Sequence, residues 1–172
     1  MIRLFNGDSF ELIKNLKSNS VKLVMTDVPY PDMVIHDENT PIVKSTKWIE
    51  WFAPLAEEIH RVLEDGGSFV TTINSKYDHS FYHRWVAWMC EELGFAYVYD
   101  WYWVKTKMIP GKMPRPRDTK DFIAHFYKGE IDDSKKLYKM DRINDWKKYN
   151  PHTAIPTNFI YASSGNDKIY YD

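Results

Sequence analysis

A short apolar run that halts at an acid and a proline constrains this chain more than any other feature. Leu23, Val24, Met25 and Thr26 lead into Asp27, Val28, Pro29 and Tyr30. A run of this length, ending in polar and Pro-containing sequence, reads as a central strand of an α/β sheet. Open α/β sheets bind their ligands just beyond the carboxyl ends of such strands. Asp27 and the Val28 carbonyl are hydrogen-bond acceptors on neighbouring residues. Pro29 stiffens the turn without offering a donor, and Tyr30 supplies a ring face. Two acceptors beside a stacking surface suit a flat heterocycle carrying an exocyclic amino group. Drawing both N–H bonds toward acceptors turns the amine lone pair out of the ring and makes it nucleophilic. An ordinary strand followed by a Pro turn accounts for the same four residues, so context must decide.

The remaining elements follow in order. Residues 2–5 read as a short strand and residues 9–17 as a helix with Phe10, Ile13 and Leu16 on one face. Asp8 with Glu11 three residues on has the spacing of a capping box. Residues 46–63 carry a helical stripe of Trp48, Trp51, Phe52, Leu55, Ile59, Val62 and Leu63. Pro54 is expected to kink or divide that helix, and Gly66-Gly67 to stop it. Residues 68–73 read as a strand. Residues 78–93 read as a helix with Phe81, Trp85, Trp88 or Met89, and Leu93 inward. Residues 95–105 and 122–127 read as two further strands. His79 and His83 are four apart, but two imidazoles without a third ligand read as an exposed pair rather than a metal site.

Two connections stand out. Residues 31–47 lack periodicity, and so long a connection directly after the Asp27 turn reads as a lid. Residues 105–120 hold Lys105, Lys107, Lys112, Arg115, Arg117 and Lys120 against Asp118 alone. Pro110, Gly111, Pro114 and Pro116 forbid a helix there. A proline-stiffened basic loop can track phosphates without reading sequence; a solvated surface loop is the alternative. Residues 130–172 turn polar and irregular, with one short helix expected at 141–149.

Composition narrows the class. A chain of 172 residues suits a single domain with a real core. Its net charge of −1 means that any nucleic-acid contact must come from a local patch. No apolar run approaches the roughly 18 residues a membrane span needs, and no signal peptide is legible. Cys90 is the only cysteine, so no disulfide forms within one chain. An intracellular, cytoplasmic location is the expectation.

Taken together, Asn6-Gly7-Asp8 ahead of an apolar helix, Asp27-Val28-Pro29-Tyr30, Gly66-Gly67-Ser68-Phe69-Val70, Trp103-Val104-Lys105 and residues 122–128 resemble the β-group amino-methyltransferases of DNA. That family carries the signature Asp-Pro-Pro-Tyr, whose first proline is Val28 here. The resemblance implies a Rossmann-like α/β sheet with helices on both faces. It implies S-adenosylmethionine as cofactor, DNA as partner, and the exocyclic amine of adenine or cytosine as target, with the acidic first position leaning to adenine. Asp27, Val28, Pro29 and Tyr30 would form the catalytic tip, with Asp8 and Asp27 near the cofactor. A duplex target would have to be flipped out of its stack.

The family's glycine-rich cofactor turn has no counterpart among the seven glycines. The sheet is therefore expected to be incomplete, with two strands of the cofactor half missing. The Asp27 strand would then form an edge and strand 2–5 would lack a neighbour. A split enzyme completed by a second chain, self-association or rearrangement closing the gap, and a truncated product all stay open. So do a non-catalytic nucleic-acid-binding or partner subunit and an RNA-directed methyltransferase.

Overall fold

The computed structural model describes residues 2–33, 42–75, 78–105, 120–130 and 159–162. They contain helix α1 (Ser9–Leu12), a 3₁₀ turn (Ile13–Asn15), strand β1 (Val21–Asp27), helix α2 (Ser45–Val62) and strand β2 (Leu63–Ile73). Helix α3 (Phe81–Glu91) and strands β3 (Phe95–Lys105), β4 (Lys120–Lys128) and β5 (Phe159–Ala162) follow. The chain divides into two compact units, residues 1–99 with 124–131 and residues 100–123 with 132–172.

In the first unit the strand order is β1-β2-β4-β3. β1 and β2 are parallel, with Leu23 opposite Ser68, Met25 opposite Val70 and Asp27 opposite Thr72. The core is aromatic and lies on one face of the sheet. Phe52 of α2 stacks on Phe69 of β2 at 6.5 Å, and Phe69 stacks on Phe126 of β4 at 6.1 Å. Trp85 of α3 meets Phe126 edge-on at 5.2 Å, so α2 and α3 share that face. The apolar stripes foreseen for the helices produce most of this: Trp48, Phe52, Ile59 and Val62 in α2, and Phe81, Trp85 and Met89 in α3, are buried, while Trp51 and Leu55 are only half-buried and Ala56, outside the foreseen stripe, is buried instead.

α2 is not divided at Pro54. The helix runs through it, because the lost backbone bond falls on an exposed turn while buried residues on both sides hold the axis. Nor do Gly66 and Gly67 end the helix. β2 begins directly at Leu63, and Val21 pairs with Leu63 while Leu23 pairs with Ser68, so the glycine segment bulges out of the ladder. At Gly67 a β-carbon would lie 2.8 Å from the Glu64 carbonyl and 3.1 Å from that of Val21. Only glycine admits so close an approach.

Residues 2–5 do not form the expected strand. Ile2, Leu4 and Phe5 stand in solvent, Leu4 at 92 % exposure. A strand persists only where a neighbour takes up its backbone groups, and none of the described strands lies beside this segment. β1 is correspondingly an edge among the described residues, with Leu23 and Met25 (76 % exposed) facing outward. The helix expected over 9–17 is shorter, a single α-helical turn passing into the 3₁₀ turn. It is tied to α2 by Phe10 against Trp51 at 5.3 Å and by Arg61, whose guanidinium donates to the carbonyls of Leu16 and Ile13.

In the second unit the order is β4-β3-β5. β5 lies within the segment read as irregular and runs parallel to β3, with Tyr102 opposite Phe159 and Lys105 opposite Ala162. The helix expected at 141–149 falls outside the described residues. So does the middle of the lid at 31–47, residues 34–41; its last three residues already belong to α2. No helix among the described residues is long and apolar enough to cross a membrane.

Candidate active site

β1 delivers the site by running out of ladder. Its last paired residue is Asp27, opposite Thr72. The Asp27 side chain is exposed at this carboxyl end and accepts a hydrogen bond from Thr72 Oγ1. Val28 turns inward and is buried, so its side chain pins the turn to the core. Pro29 and Tyr30 are half-buried. The carboxylate is thus not sealed from solvent, and the phenol is not turned fully into the core.

Three contacts outside the sequence motif fix the turn. Trp48, wholly buried in the first turn of α2, donates its indole N–H to the Pro29 carbonyl at 2.7 Å. Asp32 adopts a left-handed φ of 60°, which an aspartate tolerates better than most residues. Its backbone N–H donates to the Val43 carbonyl at 2.9 Å, and its Oδ1 accepts from Ser45 N at 3.3 Å. Lys44, the residue ahead of α2, provides no side-chain cap. Asp32 therefore caps α2 from thirteen residues away and joins the two sides of the 31–47 connection at its base. The second Asp32 oxygen is buried with no hydrogen-bond partner among the described residues.

The other candidate residues lie elsewhere. Asp8 caps α1, its Oδ1 accepting from Phe10 N at 2.9 Å. The reciprocal half of a capping box is not formed, because Glu11 turns to Lys14 at 2.8 Å. Nor does Asp8 follow a strand, as the cofactor role implied. Lys107, Lys112, Arg115 and Arg117 fall outside the described residues. Lys105 ends β3 and Lys120 begins β4, so both are strand residues rather than loop residues. Lys120 Nζ lies 4.6 Å from the Tyr102 ring centre and 5.0 Å from that of Phe122, within cation–π range. His79 precedes α3 and His83 lies within it, so the pair does not share one helix face.

A second polar feature sits within the sheet. His125 of β4 is buried, with Nε2 2.9 Å from Ser68 Oγ. Burial pushes its imidazole below the ordinary histidine value. His60 is shifted the same way, first by burial and then by the Lys128 ammonium, with Asp65 opposing.

Trp48, Thr72 and Asp32 could not be found from sequence as site residues. Trp48 reads only as part of an apolar stripe. Thr72 becomes a neighbour of Asp27 through strand register, and Asp32 reaches Ser45 across a loop.

Comparison with known proteins follows the same lines. A family model described as DNA methylase matches residues 21–167. The type II methyltransferase M.PvuII of Proteus hauseri is 29 % identical over 119 residues, 66 % of this chain and 34 % of that protein. M.HpaI of Haemophilus parainfluenzae is 29 % identical over 168 residues, 91 % of this chain and 49 % of that protein. The chain thus spans a third to a half of the length of these curated relatives. Among solved structures, the PvuII DNA methyltransferase (cytosine-N4-specific) superposes with a TM-score of 0.68 at 20 % identity, covering 94 % of this chain and 57 % of that one. TTHA0409 of Thermus thermophilus, complexed with S-adenosyl-L-methionine, gives 0.56 at 17 % identity, covering 91 % and 65 %.

Proposed function

We propose a function from one premise: the chain belongs to the DNA methylase family. Its β1 tip is the target-base site of an amino-methyltransferase acting on adenine or cytosine in DNA, with S-adenosylmethionine as methyl donor. The observation that carries this reading is the exposed Asp27 carboxylate at the strand's carboxyl end, beside a turn anchored through the Pro29 carbonyl. The Asp27 carboxylate and the Val28 carbonyl accept the two amine N–H bonds, and Tyr30 offers its ring to the face of the base. Holding the amine in this way presents its lone pair along a single direction, and such positioning is the main lever for a transfer without a covalent enzyme intermediate. The carboxylate also favours the positive charge that develops on nitrogen. When bound, the cofactor would supply an electrophilic methyl: the amine lone pair would form the N–C bond, the S–C pair would stay on sulfur, and the surplus proton on nitrogen would leave to water.

The described residues suit the amine side of this reaction better than the cofactor side. Asp8 is engaged as a helix cap, and residues 2–5 build no cradle around it. The family's cofactor contact at Asp8 and Asp27 therefore enters as a proposal from the resemblance. Phosphate contacts by Lys105, Lys107, Lys112, Arg115, Arg117 and Lys120 rest on their charge and spacing in the sequence.

The exposed β1 edge and the apolar side chains of Ile2, Leu4 and Phe5 favour a second element. An open edge with apolar flanks is a template for another strand, and we propose that a second chain or self-association completes the sheet there. Sedimentation of the chain alone and with added partner tests this; a monomer that methylates unaided contradicts it.

The main reading is tested with tritiated S-adenosylmethionine and unmethylated DNA. The label should appear as N6-methyladenine or N4-methylcytosine, and Asp27→Ala should abolish it without changing the unfolding midpoint. Undiminished transfer by Asp27→Ala would remove Asp27 from the mechanism.

A further inference from the structure

We propose that Thr72 is a positioning residue for Asp27, setting which carboxylate oxygen faces the target amine. This rests on the reading of Asp27 as an acceptor for that amine. Asp27 and Thr72 are the last register partners of the parallel β1–β2 ladder. Side chains directly opposite one another in a sheet share a face, so the two leave the sheet together.

The direction of the hydrogen bond follows from its partners. An ionised carboxylate only accepts, so the hydroxyl proton of Thr72 goes to Asp27 Oδ1. Asp27 makes no other side-chain hydrogen bond or ion pair among the described residues. One oxygen is thereby occupied, and the other is left to accept from a ligand. Without Thr72 an exposed carboxylate turns about two side-chain torsions and offers either oxygen in many directions.

A threonine suits this task in two respects. Its β-branch restricts χ1 in a strand, so the hydroxyl is held in place before Asp27 arrives. Its hydroxyl is also neutral, so it orients the carboxylate without cancelling its charge, whereas a lysine or arginine would neutralise the negative charge needed beside a developing ammonium. The neighbouring residue separates structure from site. Thr71 is buried on the opposite face, and its hydroxyl donates to the Thr72 carbonyl at 3.2 Å. Two adjacent threonines therefore divide the work, Thr71 toward the core and Thr72 toward the carboxylate.

The test compares Thr72→Val, Thr72→Ser and Asp27→Ala in the full chain, with the double variant Asp27→Ala/Thr72→Val. The first readout needs no cofactor. Binding is measured to single-stranded oligonucleotides containing adenine or purine, and cytosine or 2-pyrimidinone, pairs that differ only in the amino group. The unmodified chain should prefer an amino-bearing base by about 10-fold; Thr72→Val should lose that preference and Thr72→Ser should keep it. The second readout is turnover. Thr72→Val should lower kcat on the order of 10²-fold, with KM for DNA raised by no more than the lost amino preference, and should leave base preference unchanged once Asp27 is alanine. Retained preference and kcat in Thr72→Val, or losses that add to those of Asp27→Ala, would overturn the role of Thr72 and leave Asp27 in place. If the unmodified chain shows no amino preference, or Asp27→Ala keeps it, both the Asp27 reading and this inference fall.

Discussion

Trp48 and Trp85 are both at 0 % exposure in the same aromatic core, yet only one indole finds an acceptor. Trp48 Nε1 donates to the Pro29 carbonyl, whereas Trp85 Nε1 is buried with no partner among the described residues. Replacing each by phenylalanine removes the same atoms from equally buried positions. The packing loss should therefore be similar in the two variants and cancel in their difference. What remains is hydrogen bonding. In Trp48→Phe the Pro29 carbonyl loses its donor, at a cost of about 1 kcal/mol because Pro29 is only half-buried and water can partly replace the bond. In Trp85→Phe an unsatisfied donor is removed, relieving a penalty of about 1–3 kcal/mol that the native protein already carries. Trp48→Phe should accordingly be less stable than Trp85→Phe by about 2–4 kcal/mol, large against the roughly 5–15 kcal/mol of a typical domain. Urea unfolding, monitored by far-ultraviolet circular dichroism with the slope unchanged, measures the gap. Coincident midpoints, or a larger loss in Trp85→Phe, would show that the indole does not anchor the turn after β1.

Asp32→Ala should cost about 1 kcal/mol through loss of the α2 cap, while Asp32→Asn, which keeps an acceptor and tolerates the left-handed backbone, should stay near native; equal unfolding midpoints for the two would refute the capping role. Burial holds the folded His125 below its ordinary value of 6.5, so the unfolded chain binds more protons in the window below that value. Its contribution is complete above about pH 6.5 and is lost as pH falls below. Thermal melts from about pH 7.5 to about pH 5.5 should show this decline, and His125→Asn should flatten it; an unchanged slope would place the effect elsewhere. Replacing Arg115 and Arg117 by alanine should weaken DNA binding and reduce the slope of log affinity against log salt by about 0.9 for each phosphate no longer neutralised, measured by fluorescence anisotropy. An unaltered slope would return that stretch to a solvated loop.

What could be read in advance was whatever depends on local pattern. The strand ending at Asp27 and the buried positions Trp48, Phe52, Ile59, Phe81, Trp85 and Met89 are encoded in apolar spacing, and the limits of β3 in its density of aromatic and β-branched residues; each is found where that pattern puts it. Pro54 does not divide α2 because buried residues on both sides hold the helix together, and Gly66-Gly67 do not end it because Leu63 already pairs with Val21. Residues 2–5 have strand character, and the missing cofactor strands already imply that no strand lies beside them; among the described residues none does, and the segment stays unpaired. The tip of β1 was legible as chemistry but not as architecture. Asp27 announces itself, whereas the Thr72 hydroxyl and Trp48 indole that hold the turn arrive through register and helix packing.

The idea that a base is received at the tip of β1 is tested most directly by photo-cross-linking. A single-stranded oligonucleotide carrying 5-iodocytosine, which keeps the exocyclic amine, would be bound to the chain, irradiated, and the adduct mapped by mass spectrometry. The account predicts a cross-link on Tyr30 that unlabelled adenine or cytosine oligonucleotides suppress. Adducts confined to other aromatic residues, with Tyr30 unmodified, would contradict it.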